Sequence, residues 1–228
     1  TSAESVANQA INALSVSAVS DGAASAGLAN TQESHAGVLA AATTRLGYDG
    51  LAMSDAQALV GGNSTSALAR GNAASNSLTL TGTPSSGLAP ASASLAGSGT
   101  VSADAALVNS QINTGDVTAL GENMVHDIAL NCIGADRSEL VLNGNSVSAS
   151  AIGNGATNSM ALASLGQLPT AAVANVQMNS GQVTARVTGA TFQAIPGTLT
   201  ASRLGITGNS VIASAVGNSA VTSIASLR

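Results

Sequence analysis

Tryptophan, lysine and a second cysteine are what this 228-residue sequence goes without. Aromatics make up 1% of it, Tyr48 and Phe192 alone, although 45% of the residues are hydrophobic. The apolar content is therefore almost all Ala, Val, Leu and Ile. Thick globular cores lean on large side chains for buried area, so this composition calls for a thin interior with two sheet faces close together. Charged residues make up 7%, against roughly 25% in an average soluble domain. The six basic residues are all Arg, and the net charge is -5. With no basic cluster, the chain lacks what nucleic acid or an anionic membrane surface would need for binding. Cys132 stands alone, which excludes an intrachain disulfide and a multi-cysteine zinc site. In the mostly apolar run from Ile128 to Ile133 it is expected as a small buried thiol. No run approaches the roughly 18 apolar residues of a spanning helix. The start at Thr1 shows no basic region followed by an apolar block, so an export signal would have been removed or lie outside this chain. Low charge alone would suggest disorder, but the mean hydropathy is positive, which argues for order.

What is present is a repeat. The segment GNSVSASAIGNGATNSM from Gly144 to Met160 returns as GNSVIASAVGNSAVTSI from Gly208 to Ile224 and as GNSTSALARGNAASNSL from Gly62 to Leu78. The start of the chain carries a fragment of a fourth copy, Asn8 to Leu14. A second motif precedes each full copy. Asn109-Ser110-Gln111-Ile112-Asn113 matches Asn175-Val176-Gln177-Met178-Asn179, and Asn30-Thr31-Gln32 is a weaker version. From Asn30 to Gly62, Asn109 to Gly144 and Asn175 to Gly208 the separations are 32, 35 and 33 residues. That regularity divides one body, residues 1–228, into units of about 30–108, 109–174 and 175–228, with residues 1–29 a partial unit. The Ser/Pro/Gly-rich stretch from Gly82 to Thr100 reads as an inserted outer loop.

Within a unit the period is two, the signature of strands. One alternate set holds Val147/Thr65/Val211, Ala149/Ala67/Ala213 and Ala151/Ala69/Ala215, and should face inward. The other, which includes Arg70, should face out. Gly71, Gly153 and Gly217, followed by Asn72, Asn154 and Asn218, are expected to supply turns through their tolerance of positive φ. A second short strand would follow, with Ala74/Ala156/Ala220, Asn76/Asn158/Thr222 and Leu78/Met160/Ile224 inward. Dense Gly, Ser, Thr and Asn disfavour helix, except for a short turn from Ser54 to Leu59 behind a Ser cap. The expectation is an all-β, elongated β-solenoid (a β-helix or β-arcade) of short strands. In it, Gln32, Gln111, Gln177 and the repeated Asn residues stack into side-chain ladders, and both ends stay open.

The strings GNSVSASAIGNGATNSM and NVQMNSGQVTARV resemble the Ser/Asn/Ala/Val-rich repeats of bacterial surface-fibre proteins, in particular the holdfast attachment protein D type family, and more loosely curli subunits. The resemblance implies an extracellular, outer-membrane-associated fibre that assembles from copies of itself and anchors cells or biofilm to a surface. Surface polysaccharide or other anchor proteins would be its further partners. SASAIGNGATNS is also similar to the head repeats of trimeric autotransporter adhesins, which leaves a non-polymerising adhesin binding a carbohydrate or abiotic surface as the alternative.

Residues with catalytic or cofactor-binding chemistry are sparse against this background. His35 and His126 fall at non-equivalent places in the units, and surface or loop roles are expected for both. No nucleophile elbow or phosphate loop occurs. Asp127, Asp136, Arg137 and Glu139 form the densest charge, and paired carboxylates serve polysaccharide hydrolases, but a solvated turn after Ile133-Gly134 accounts for them. Asp49 and Asp55 lack calcium-loop spacing, and Asn63-Ser64-Thr65 is a formal glycosylation sequon. No catalytic, cofactor or metal site is expected, and the reading is of a protein that is not an enzyme.

Overall fold

The computed structural model describes residues 1–18, 22–84, 90–95 and 99–227, with the side chains of residues 95, 99 and 131–133 left aside. Cys132 is among these, so the expected buried thiol lies outside the described side chains. The described residues are all β, without helix. In chain order the strands are β1 (Ser2–Ser17), β2 (Ala26–Ser34), β3 (Val38–Ser54), β4 (Gln57–Gly61), β5 (Ser64–Thr81), β6 (Ala91–Leu95), β7 (Gly99–Ala103), β8 (Ala105–Asn113), β9 (Val117–Asp136), β10 (Glu139–Asn143), β11 (Ser146–Ala163), β12 (Ala171–Asn179), β13 (Val183–Thr188), β14 (Thr191–Ile195), β15 (Leu199–Thr200), β16 (Arg203–Thr207) and β17 (Ser210–Leu227). The helical turn expected from Ser54 to Leu59 is absent: Ser54 ends β3, Asp55 bends the chain at φ 53°, and Gln57 opens β4. Val60 at the end of that segment is buried, and alternate burial along β4 rewards strand over helix.

Four sheets take the strands in a fixed order. A four-stranded sheet runs β1-β5-β11-β17, an Asn/Gln sheet β12-β8-β2, and a short sheet β16-β10-β4. A five-stranded sheet has β9 at its centre, with β3 along one side and β13, β14 and β15 in succession along the other. All pairing in these sheets is parallel. The chain passes from the Asn/Gln sheet to the five-stranded, short and four-stranded sheets and repeats this circuit three times: β2 to β5, β8 to β11, and β12 to β17. β1 precedes the first circuit. Between the first two, β6 and β7 form an antiparallel hairpin. The expected inserted loop from Gly82 to Thr100 therefore holds β6 and the start of β7, while residues 85–89 and 96–98 lie outside the described residues. Ala93 and Val101 of the hairpin pack on Ala106 and Val108, burying the outer face of β8.

The like residues of each copy lie side by side. Ala67, Ala149 and Ala213 are register partners, as are Leu78, Met160 and Ile224. Inward small residues let the sheets approach: Ala67, Ala69, Val147, Ala149 and Ala151 pack on Val38, Ala40, Val117 and Ala119. Leu78, Leu80, Met160 and Leu162 meet Ala26, Ala105 and Leu107. Between these two apolar zones the interior is lined by amides. In β17, Val211 and Ile224 are exposed, whereas their register partners Val147 and Thr65, and Met160 and Leu78, are buried, because β17 is an edge.

Two expectations about the Gly-Asn pairs are corrected. No second short strand follows them, since β5, β11 and β17 each run unbroken for 18 residues. Burial in β11 instead changes phase. It falls on Val147, Ala149, Ala151 and Gly153, then on Asn154, Ala156, Asn158 and Met160. The strand bends there and turns a new face inward. Nor do Gly71, Gly153 and Gly217 have positive φ; the turn glycines are Gly62, Gly144 and Gly208, at φ 68°, 67° and 64°. At the bend the glycine is required for lack of a side chain. A Cβ on Gly153 would lie 2.5 Å from both Gly217 O and Asn179 Oδ1, and one on Gly71 would meet Gly153 O and Asn113 Oδ1.

Candidate functional site

The amides behind each bend form hydrogen-bonded columns across the circuits. Asn8 Nδ2 donates to Asn72 Oδ1 at 2.9 Å, Asn72 to Asn154 at 2.8 Å, and Asn154 to Asn218 at 2.8 Å. The second N–H of each goes to a backbone carbonyl of the Asn/Gln sheet: Asn8 to Glu33, Asn72 to Ile112 and Asn154 to Met178, at 2.7, 2.9 and 2.8 Å. Those three carbonyls are register partners. A double column lies one step deeper. Asn12, Asn76 and Asn158 are linked at 2.8 and 2.9 Å, while Asn30, Asn109 and Asn175 are linked at 2.7 Å throughout. Cross-bonds of 3.0, 3.0 and 3.2 Å join Asn12 to Asn30, Asn76 to Asn109 and Asn158 to Asn175. Thr222 occupies the fourth place in the first of these columns.

The glutamines run the other way. Gln177 donates to Gln111 at 2.6 Å and Gln111 to Gln32 at 2.7 Å. Their remaining N–H groups reach Ser219 O, Gly155 O and Ala73 O in the four-stranded sheet. A further column, Asn63 to Asn145 to Asn209 at 2.8 and 2.9 Å, follows the turn glycines. Asn72, Asn109, Gln111, Asn145 and Asn154 are wholly buried. An unpartnered buried amide costs roughly 1–3 kcal/mol, and here each bond is made by the same residue one circuit on, so the columns couple the circuits in one register.

Of the residues singled out from the sequence, Gln32, Gln111, Gln177, Asn72, Asn76, Asn154, Asn158 and Asn218 thus stand in these columns, and Gly71, Gly153 and Gly217 stand at the bend. Sequence reasoning missed the cross-bonded column of Asn30, Asn109 and Asn175 and the turn column of Asn63, Asn145 and Asn209. Both were signalled by the same recurrence at unit spacing.

The columns end at two open edges. Among the described residues Asn8 and Asn12 accept no further amide at one, and Asn175 Nδ2 and Gln177 Oε1 have no partner at the other. Asn218, the last of its column, reaches Gln177 O at 3.4 Å.

The scattered titratable groups do not converge. His126, expected at the surface or in a loop, is wholly buried on β9 with both ring nitrogens unpartnered among the described residues, and stacks on Phe192 with ring centroids 5.4 Å apart. The inward phase of β9, shared with Met124 and Ile128, carries it into the core. Burial lowers its pKa below the ordinary histidine value, against an opposing pull from Asp127. Asp127 is no part of a solvated turn: it is buried on β9, over Gly47, with Arg45 Nη2 at 3.6 Å from one carboxylate oxygen. Asp136, Arg137 and Glu139 do lie at the bend after β9. Arg137 holds Asp55 through two 2.7 Å bonds and Asp136 at 2.9 Å, while Glu139 accepts from Gln57 at 3.0 Å. The Arg137 guanidinium keeps the Asp55 carboxyl below the usual range. His35 is exposed, between Thr114 Oγ1 at 2.7 Å and Glu33 at 3.1 Å. No group of three or more His, Cys, Asp or Glu residues suited to a metal occurs among the described residues. Among the described residues no helix is long and apolar enough to cross a membrane.

Outside the bend, the four-stranded sheet forms an open groove lined by Gln9, Ile11, Arg70, Ser75, Thr157 and Val221. Comparison with protein-family models, curated proteins and solved structures returned no match.

Proposed function

We propose that the chain is a structural subunit of an extracellular, self-assembling fibre on a bacterial cell surface, built as a β-solenoid and serving attachment, as in holdfast or biofilm anchoring. The observation that carries this reading is the set of in-register amide columns, in which like residues of successive circuits bond to one another across parallel sheets. At one edge the asparagines offer acceptors and the glutamine a donor; at the other the polarity is reversed. Parallel sheets whose long edge strands present unpaired backbone groups template further strands. β1 and β17 are such strands, 16 and 18 residues long. The near absence of charge removes the usual barrier to edge pairing, and neither edge strand contains proline.

The sequence resemblance to surface-fibre repeats supplies the location and the adhesive role. Other copies of the chain are the principal partner, with surface polysaccharide or anchor proteins as further ones. Catalysis has no part in this reading. Electron microscopy of the purified chain, with fibre diffraction on the same sample, tests it. Long uniform filaments with an axial reflection at about 4.8 Å are expected. Discrete particles at all concentrations overturn it in favour of a non-polymerising adhesin, for which the open groove beside Arg70 and Thr157 would be the surface to probe with glycans.

A further inference from the structure

The step from the four-stranded sheet back to the Asn/Gln sheet is made three times, and one of the three is far longer than it has to be. Ser17, Thr81 and Ala163, which end β1, β5 and β11, stand in one register, as do Ala26, Ala105 and Ala171, which open β2, β8 and β12. Residues 18–25 and 164–170 cover that step in two circuits, while residues 82–104, which include the β6–β7 hairpin, cover it in the other. The hairpin is therefore surplus to the connection.

Its placement is specific. β6 lies against β2 and β8, and β7 against β8 and β12, so the hairpin spans three circuits on the outer face of the Asn/Gln sheet. Ala93 and Val101, register partners within it, pack on Ala106 and Val108, which are wholly buried although they point away from the amide columns. Gly27 leaves room beside it: a Cβ there would lie 3.2 Å from Ser92 O. The base is fixed on both flanks. Asp104, the single residue between β7 and β8, accepts from Ala26 N through its backbone oxygen and from Thr170 N and Oγ1 through Oδ2, each at 2.8 Å. The far side of the hairpin presents the exposed hydroxyl residues Ser92, Ser94, Thr100 and Ser102, with Thr100 Oγ1 donating to Ser94 Oγ at 2.8 Å.

We infer that the hairpin is a built-in block to lateral association: it fills the layer above the Asn/Gln sheet in which the same face of a second copy would pack. Composition identifies that occupant. The hairpin offers Ala93 and Val101 to Ala106 and Val108, and the β8 of a second copy offers the same two residue types. Without the hairpin, Gly27, Ala29, Ala106, Val108, Ala172 and Ala174 form an uncharged patch of small side chains across three circuits. Faces of this kind interdigitate with the two sheets about 10 Å apart. The hairpin occupies that spacing and replaces the apolar face by hydroxyls. Only 7% of the chain is charged, so repulsion between like charges does little to keep such faces apart. The block acts on a discrete particle and on a filament alike, and so does not require the fibre reading.

Replacing residues 82–103 by residues 164–169 removes the hairpin, keeps Asp104 and copies a connection the fold already uses. Sedimentation velocity reads the result on discrete particles, and electron microscopy reads it on filaments. The variant is expected to double in mass as a particle, or to pair side by side at twice the width as a filament. Adding Val108→Lys, which puts charge in the middle of the uncovered patch, should return mass or width to that of the unmodified chain. Unchanged mass and width without the hairpin overturn the inference. Association that persists after Val108→Lys does so too, since misfolding or another surface would then be its source. Lateral pairing by the unmodified chain likewise counts against a block. Failure of the unmodified chain to form filaments bears on the fibre reading alone.

Discussion

Asn154 donates one side-chain N–H to Asn218 Oδ1 and the other to Met178 O, both at 2.8 Å, so a single buried amide ties neighbouring circuits within one sheet and also joins that sheet to the one opposite. Its oxygen meanwhile accepts from Asn72 at 2.8 Å. Replacing Asn154 by Leu leaves Asn72 Nδ2 short of a partner inside the interior, while the exposed Asn218 Oδ1 turns to water. An orphaned buried group costs roughly 1–3 kcal/mol, so a loss of about 2 kcal/mol is expected, read as a lowered midpoint in urea unfolding. An unchanged midpoint would mean that the columns do not contribute to stability.

The glycines separate into two kinds with different penalties. Gly144→Ala makes no contact closer than Gly62 N at 3.8 Å and suffers only its positive φ, a cost of roughly 1–2 kcal/mol. Gly153→Ala drives a methyl into Gly217 O and Asn179 Oδ1, and backbone must move. Gly205→Ala, with nothing within 4 Å and no positive φ, serves as a neutral control. The expected order of melting temperatures is Gly205→Ala, then Gly144→Ala, then Gly153→Ala; a milder effect at Gly153 than at Gly144 contradicts the bend as described.

His126 gives the fold an acid sensitivity. Its folded-state pKa lies below the unfolded value, because burial disfavours the imidazolium. The stabilisation from keeping it neutral is therefore complete above about pH 6.5 and is lost as pH falls through the folded pKa, where the unfolded chain holds the extra proton. His126→Phe is expected to flatten the unfolding midpoint over that window. Equal pH dependence in both proteins would remove His126 as its source.

Asp55 is exposed, and its interest is spectroscopic. With Arg137 in place its carboxyl titrates below the usual carboxylate range. In Arg137→Ala, NMR titration should find it moved upward into that range. No shift on removing the guanidinium would show that the two-bond pair does not persist in solution.

Much of this was legible from the residues. Recurrence at unit spacing located the strands that stack, and alternation assigned the inward faces of β5 and β11, because a strand between two like neighbours has its environment written into its own period. Two things were hidden. Gly153 reads as a turn residue, and only the proximity of Gly217 O, on a strand 64 residues away, shows that it serves close approach instead. His126 and Asp127 read as surface residues because they belong to one circuit only. Their burial comes from neighbours such as Gly47 and Phe192, which no repeat announces.

Parallel pairing across the four stacked sheets also decides how the protein bears load. The backbone hydrogen bonds of a parallel sheet lie across its strands and so run from circuit to circuit, and the amide columns follow the same direction. A pull from one open edge to the other would strain all the bonds of a level together, and no strand could be peeled off one bond at a time. Such an arrangement resists tension as a bundle of short cables does, with rupture requiring the cooperative failure of an entire cross-section.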